Sequence, residues 1–214
     1  MLCDHPGLLH DSAHKFSLQM GEGSAYAHSL KERDLLIPTK SSKLELLTKY
    51  VSDHLDTDPE AKVVIFTSYV GMLARIQESV GGTLYTGSMN SKEKEASKER
   101  FLTDPECRVF ISSDAGGYGI DLPIANLLIN YDLPWSGGLA IQRNSRIKRA
   151  SSRWPTITIQ NMLMEGSIEE RQQEMLQQKN AVADAVMDGA GINAKGGIDM
   201  TVGSLISFLS KEKI

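Results

Sequence analysis

Two cysteines in 214 residues, Cys3 and Cys107, are too few and too far apart for a disulfide framework or a metal knuckle. Aromatic residues make up only 6% of the chain, and no apolar run approaches the roughly 20 residues that a membrane span requires. No signal-peptide pattern opens the sequence. Two further absences are chemical: no G-x-x-x-x-G-K-[ST] phosphate cradle and no Asp-Glu dipeptide occurs anywhere. GINAKGG (191–197) has the wrong order and follows a helical pattern, and GAGINA (189–194) imitates a dinucleotide fingerprint in the same unsuitable setting. A secreted disulfide scaffold, a membrane-spanning helix and a self-contained P-loop enzyme are therefore not expected of this sequence. The expectation is an intracellular, reduced protein, with the cytoplasm of a bacterial or virus-infected cell first and the nucleus left open.

What is present is ordinary in bulk and unusual in one place. At 41% hydrophobic the chain can build one good-sized core with a small appendage. The formal net charge is −4, which argues against a dedicated nucleic-acid coat but leaves room for a local cationic track. Against that acidic background, QRNSRIKRA (142–150) gathers Arg143, Arg146, Lys148 and Arg149 with no acid among them. A solvated helix face is the plain explanation for a charge run.

The patterning alternates. KVVIFTS (62–68), TLYT (83–86), RVFISS (108–113), NLLINYD (126–132) and TITIQNM (156–162) read as strands, the first a buried one rich in β-branched residues. Between them, VGMLARIQESV reads as a helix ending at Gly81-Gly82, and NSKEKEASKERFL as a charged helix capped at Asn90 or Ser91. SGGLAIQRNSRIKRA (136–150) reads as a further helix. Strands alternating with helices predict an α/β fold, an open parallel sheet covered on both faces, with ligands beyond the carboxyl ends of its strands. Residues 41–56 carry Leu44, Leu47, Val51 and Leu55 on one stripe, predicting a docking helix. A capping box from Ser167 to Glu170 opens a last long helix with Ile168, Met175, Val182 and Val186 on one face. A glycine-rich loop (189–197) and a short helix around VGSLISFLSK (202–211) follow. Residues 12–40 show no period and read as a connection. Cys3, His5, His10 and His14 are too irregularly spaced for a zinc site, and no metal is expected.

Two stretches carry chemistry. In SSDAGGYGIDLPIANLLINYDLPW (112–135) a strand ends at Ser113, and Ala115-Gly116-Gly117-Tyr118-Gly119 turns so that backbone can approach a ligand closely. Backbone N–H groups and small hydroxyls there suit phosphate oxygens, though a plain tight turn reads equally well. In the basic stretch, Gln142, Arg146 and Arg149 are spaced by four and three, which on a continuous helix puts them in one row. An amide and two guanidiniums in a row suit a polyphosphate, and Arg143, one residue off the row, faces a different surface.

Taken in order, FTS after an apolar strand, TG after a short one, SSDAGGYGIDL, A-x-x-L-L-I-N-Y-D-L-P-W and Q-x-x-x-R-x-x-R are similar to the second RecA-like lobe of Swi/Snf-type DNA translocases, a branch of the superfamily-two helicases. MLCDHPGLL resembles the Cys-Asn-His-Pro element where that family leaves its first lobe, read here as a helix end, and SSKLELLTKYV the helix that introduces its second. The resemblance implies a RecA-like lobe over 41–166, a connecting segment over 1–40 and a helical extension over 167–214. It implies that Arg149 and Arg146 act as catalytic arginine fingers toward ATP held with Mg²⁺ on the first lobe, while Gln142, Gly119 and Asp121 line the nucleotide cleft. It further implies that Ser112, Ser113, Ala115, Gly116 and Gly117, with Ser68 and Trp135 beside them, touch a tracked DNA strand. Arg143, Lys148 and Arg153 would extend a cationic surface toward that DNA. The sequence departs from the family at Asp121, usually Asn; at Ala150-Ser151, usually Gly-Gln; and at Ser136-Gly137, usually Asn-Pro.

The partners so implied are double-stranded DNA and an N-terminal RecA-like lobe, in cis or in trans, with no membrane. The chain would be half of an ATP hydrolase, inactive alone, since fingers without a phosphate cradle have nothing held to act on. Two rivals stay open: a free-standing DNA- or partner-binding module that never meets ATP, and an RNA helicase lobe.

Overall fold

A computed structural model describes residues 3–14, 29, 40–114, 116 and 119–187. The chain forms two compact units, Met1–Glu170 and Arg171–Ile214. The first holds five parallel strands: β1 (Val63–Thr67), β2 (Thr83–Tyr85), β3 (Val109–Ser113), β4 (Leu127–Asn130) and β5 (Thr158–Asn161), in the order β2-β3-β1-β4-β5. β1 is central, in register from Val63 against Val109 and Leu127. Its five residues are all buried, as expected of a strand covered on both faces.

Alternation along the strands divides the core in two. Val63, Ile65, Val109, Ile111, Leu127 and Ile129 face one way, onto Leu47 and Val51 of α2 (Ser42–Thr57) and Met72, Leu73 and Ile76 of α3 (Val70–Val80). Val64, Phe66, Phe110 and Leu128 face the other, onto Phe101 of α4 (Ser91–Thr103), Ile120, Leu122 and Ile147. The predicted strands and these three helices form where expected. Asn90 and Glu93 make a reciprocal capping box on α4, and α3 stops at Gly81 with φ 72, a conformation only glycine adopts freely.

Three expectations fail locally. The Cys-Asp-His-Pro segment opens a helix, α1 (Gly7–His14), because His5 Nδ1 accepts the Gly7 N–H at 2.9 Å and its carbonyl accepts from Leu8. The helix predicted over 136–150 ends early: α5 spans Gly137–Asn144. Ser145 turns its hydroxyl back to the Gln142 carbonyl at 2.9 Å and Arg146 N–H bonds the Arg143 carbonyl, a tightened last turn that local side-chain bonding favours. At the start of α6 (Ile168–Met187), Ser167 accepts from the Glu169 N–H, and Glu169, not Glu170, reaches back to the Met164 N–H at 2.8 Å. Residues 202–211, the 189–197 loop and most of 12–40 lie outside the described residues, as do the side chains of Val182 and Val186.

Two cations finish the helix ends on the amino side of the sheet. Lys62 Nζ donates to the carbonyls of Phe101, Asp104 and Cys107 at 2.5, 2.8 and 3.1 Å, and Arg108 donates to those of Leu55, Asp58 and Ala61. Elsewhere in the first unit, Lys43 Nζ lies 3.1 Å from Asp4 and 2.6 Å from Glu169, all three side chains nearly dry, with the ammonium 5.0 Å over the Tyr131 ring. Ser41 and Tyr131 hydroxyls both donate to the Asp4 carbonyl. Residues before α2 are thus tied to the start of α6 through one ammonium.

Replacing Lys43 by alanine strands two buried carboxylates, and a loss of about 3–5 kcal/mol is expected in chemical denaturation; a loss under ~1 kcal/mol would show the cluster to be incidental. Burial holds the Tyr69 phenol up to about 12, and Tyr131 higher still. Unfolded phenols release their protons near 10, so folding stability should fall as pH rises from 10 toward 12. A spectrophotometric titration should therefore find tyrosines ionising late in the folded protein; all six titrating together near 10 would contradict the burial.

Candidate nucleotide and nucleic-acid edge

The loops after β1, β3 and β4 meet at the carboxyl edge of the sheet, and one side chain joins them. Arg143, on α5, is 2% exposed. Its Nη1 donates to the Asp132 carbonyl at 2.6 Å and lies 3.4 Å from Asn130 Oδ1, and its plane sits 5.8 Å from the Phe66 ring. Its other edge forms a fork: Nε on Asp114 Oδ1 at 2.6 Å, Nη2 on Asp114 Oδ2 at 2.9 Å and on Ser68 Oγ at 2.8 Å. Ser68 Oγ in turn donates to Asp114 Oδ2 at 3.0 Å.

Arg143 is therefore not part of a cationic surface. Its charge is compensated inside by Asp114 and by Asp132, 3.5 Å away. Asp132 also accepts from the Thr67 hydroxyl and the Ser68 N–H, shaping the turn after β1. Burial pushes the Asp132 carboxyl up, opposed by Arg143 and by the Thr67 bond. Sequence reasoning missed both aspartates because it placed Arg143 one residue off the Gln142–Arg146–Arg149 row, on a surface facing DNA. Arg143 is instead buried, and Ile141 on the same helix is 57% exposed. The available signal was Asp114 itself, an acid directly after a buried strand.

The other two arginines converge on the connection from β3 to β4, though not as predicted. Since α5 ends at Asn144, Gln142, Arg146 and Arg149 do not share a helical row; Gln142 alone is on the helix, half-buried. Arg146 is 7% exposed, its Nη1 3.3 Å from the Ile120 carbonyl, while its own carbonyl accepts the Leu122 N–H at 2.9 Å. Arg149 is exposed and ion-paired with Asp121, also exposed. Gly119, with φ 74 and open space around it, begins this segment. So Gly119, Asp121, Arg146 and Arg149 come together, and Gln142 sits on the preceding helix.

On the proposed nucleic-acid side, Ser68 and Trp135 are exposed. Ser112 is fully buried in the middle of the sheet with its hydroxyl on the Ser113 carbonyl, so its side chain faces no ligand. Ser113 is also buried; its Oγ accepts the Gly116 N–H at 3.2 Å and shapes the turn. A Cβ at Gly116 would lie 2.4 Å from the Tyr85 carbonyl oxygen, which is why glycine stands there. Ala115 and Gly117 lie outside the described residues. Arg153 pairs with Glu60, ahead of β1, at 3.5 Å and stacks 4.9 Å from Trp154. That is the opposite end of β1 from Ser68, so Arg153 does not extend this edge. Among the described residues no group of three or more His, Cys, Asp or Glu side chains could hold a metal ion, and no helix is long and apolar enough to cross a membrane.

Comparison with known proteins agrees with this architecture. The human DNA repair and recombination protein RAD54B is 28% identical over 206 residues, covering 87% of this chain and 22% of that protein. The putative ATP-dependent helicase/translocase YwqA of Bacillus subtilis is 26% identical over 192 residues, again 87% of this chain, and 18% of its own length. The chain thus spans about a fifth of each of these relatives. Among solved structures, the C-terminal part of the Fun30 ATPase domain superposes with a TM-score of 0.56 at 19% identity, covering 78% of this chain and 61% of that one, a likeness of fold. The helicase conserved C-terminal domain matches residues 42–151, from the first turn of α2 to just past the Arg149–Asp121 pair. With its RecA-like parallel sheet and Swi/Snf-type relatives, the chain belongs to the helicase C-terminal domain family of superfamily two.

Proposed function

We propose that this chain is the second motor lobe of an ATP-dependent double-stranded DNA translocase, with Arg149 directed at ATP presented by a separate first lobe and Arg146 fixing the turn that carries it. The observation that carries the reading is the Arg149–Asp121 pair: an exposed guanidinium held at the sheet's carboxyl edge by a single exposed carboxylate. Such a pair is weak in water, worth about 0–1 kcal/mol, so Arg149 can exchange Asp121 for a better anion at little cost. Arg146, bonded inward to the Ile120 carbonyl, keeps the Gly119–Leu122 segment in step with the turn that carries Arg149. Gln142, Gly119 and Asp121 would complete the lining of the cleft.

An exposed guanidinium fits a polyphosphate, whereas Mg²⁺ requires oxygen ligands and would be held, with the phosphate cradle, on the first lobe. When that lobe presents ATP, Arg149 leaves Asp121 for the γ-phosphate side and draws the lobes together. When water has cleaved the γ-phosphate and it departs as inorganic phosphate, Arg149 returns to Asp121 and the lobes part. The differential contact of Arg149 in the two states supplies the motion. Ser68, Trp135 and Gly116 follow the carboxyl ends of β1, β4 and β3, at an edge suited to a backbone that is gripped and released without reading its sequence.

Mixing the chain with a separately prepared first lobe and duplex DNA should yield DNA-stimulated ATP turnover. Arg149→Ala should lower that turnover by about 10³-fold or more while leaving duplex binding unchanged. Stimulated turnover that survives Arg149→Ala would remove the finger assignment. Duplex binding without turnover, whatever first lobe is supplied, would favour the binding-module reading, and stimulation by duplex RNA alone an RNA helicase lobe.

A further inference from the structure

The fork formed by Arg143 and Ser68 has a fixed back and a replaceable front. Behind the guanidinium, Nη1 is committed to the Asp132 carbonyl and Asn130, and the Phe66 ring lies beside the plane. Nothing there can relax without disturbing β1 or β4. In front, Nε, Nη2 and the Ser68 hydroxyl all converge on one carboxylate, that of Asp114. Asp114 follows the last residue of β3, and its side chain is 22% exposed against 2% for Arg143. Ser68 is exposed as well. Among the described residues, an acid and a hydroxyl, those of Asp114 and Ser68, cover this side of the arginine at the carboxyl edge.

Three convergent donors, two of them in the parallel geometry of a guanidinium edge, match a phosphate as well as they match a carboxylate. We propose that Asp114 is an internal stand-in for a backbone phosphate: in the free lobe its carboxylate fills the Arg143–Ser68 cradle, which a phosphodiester of bound nucleic acid takes over. Asp114 thus competes with the ligand and keeps the lobe's grip weak, a useful property in a surface that must release as often as it binds. The inference rests on the nucleic-acid reading of this edge given above and adds to it a specific subsite and an acid that sets its affinity. It assigns Arg143 to the ligand although the free lobe buries it, and it explains why a bidentate partner for that arginine comes from a loop rather than from the sheet.

The test uses the full chain and a fluorescently labelled duplex, with anisotropy measured across a salt series. Asp114→Asn removes the competing charge but keeps the size of the side chain. It should bind duplex about tenfold more tightly than the unaltered chain at every salt concentration, because the phosphodiester no longer has to displace a carboxylate. Glu99→Gln, an equal change of charge at an exposed site on α4, should give a much smaller gain. In an Arg143→Lys background, which lacks the fork, the gain from Asp114→Asn should vanish. Thermal melts, with Asp114→Ser as a second variant, confine the comparison to folded protein. In Asp114→Asn the Arg143 Nε–Hε resonance should move on adding duplex and not on adding millimolar inorganic phosphate; an equal shift with both would make the cradle a free-anion site and overturn the assignment. If the unaltered chain binds duplex and Asp114→Asn gains no more than Glu99→Gln, the stand-in is wrong while the nucleic-acid reading survives. If no variant binds duplex even at low salt, that reading falls and the stand-in with it.

Discussion

A guanidinium taken almost entirely out of water must be matched on every side, because an unmatched buried charge costs several kcal/mol. Arg143 is that group here, and the working edge of the sheet is arranged around it. The turn after β1 supplies Ser68, the end of β3 supplies Asp114, and the end of β4 supplies Asn130 and the Asp132 carbonyl. Three loops that parallel strands deliver separately to one edge are locked into a common geometry by one side chain from α5. Asp132 adds a second tie by bonding Thr67 and the Ser68 backbone, so the β1 turn is held from two directions.

The basic stretch of an otherwise acidic chain follows the same logic. Arg143 turns to Asp114, Arg146 to the Ile120 carbonyl and Arg149 to Asp121, so all three reach the connection that follows β3. They differ in how firmly they are held. Arg143 and Arg146 are buried, while Arg149 is exposed with an exposed partner. The firmly held pair fixes the shape of the edge, and the loosely held one can change partners at little cost.

Much of the scaffold was legible because it depends on local patterning. Five strands stood where β-branched and aromatic runs stood, and Asn90, Glu93 and Gly81 marked helix ends by chemistry that needs no distant partner. The candidate site was legible only as a set of residues. Spacing by four and three puts Gln142, Arg146 and Arg149 in a row if the helix continues, but Ser145 bonds its own backbone and stops it. The fate of Arg143 was hidden for a different reason. An arginine between polar neighbours reads as surface, and only the fold brings Asp114, 29 positions away, and Ser68, 75 away, to its nitrogens. Ser112 misled in the opposite direction: a hydroxyl near a glycine turn suggests a ligand, yet its position inside β3 turns it into the sheet.

The Lys43 cluster carries a mechanical meaning. Asp4 precedes α2 and Glu169 follows β5, and a single ammonium holds both. The clasp joins the residues ahead of α2 to the start of α6 without involving any of the five strands, so the two ends of this fold are coupled independently of its hydrogen-bond ladder.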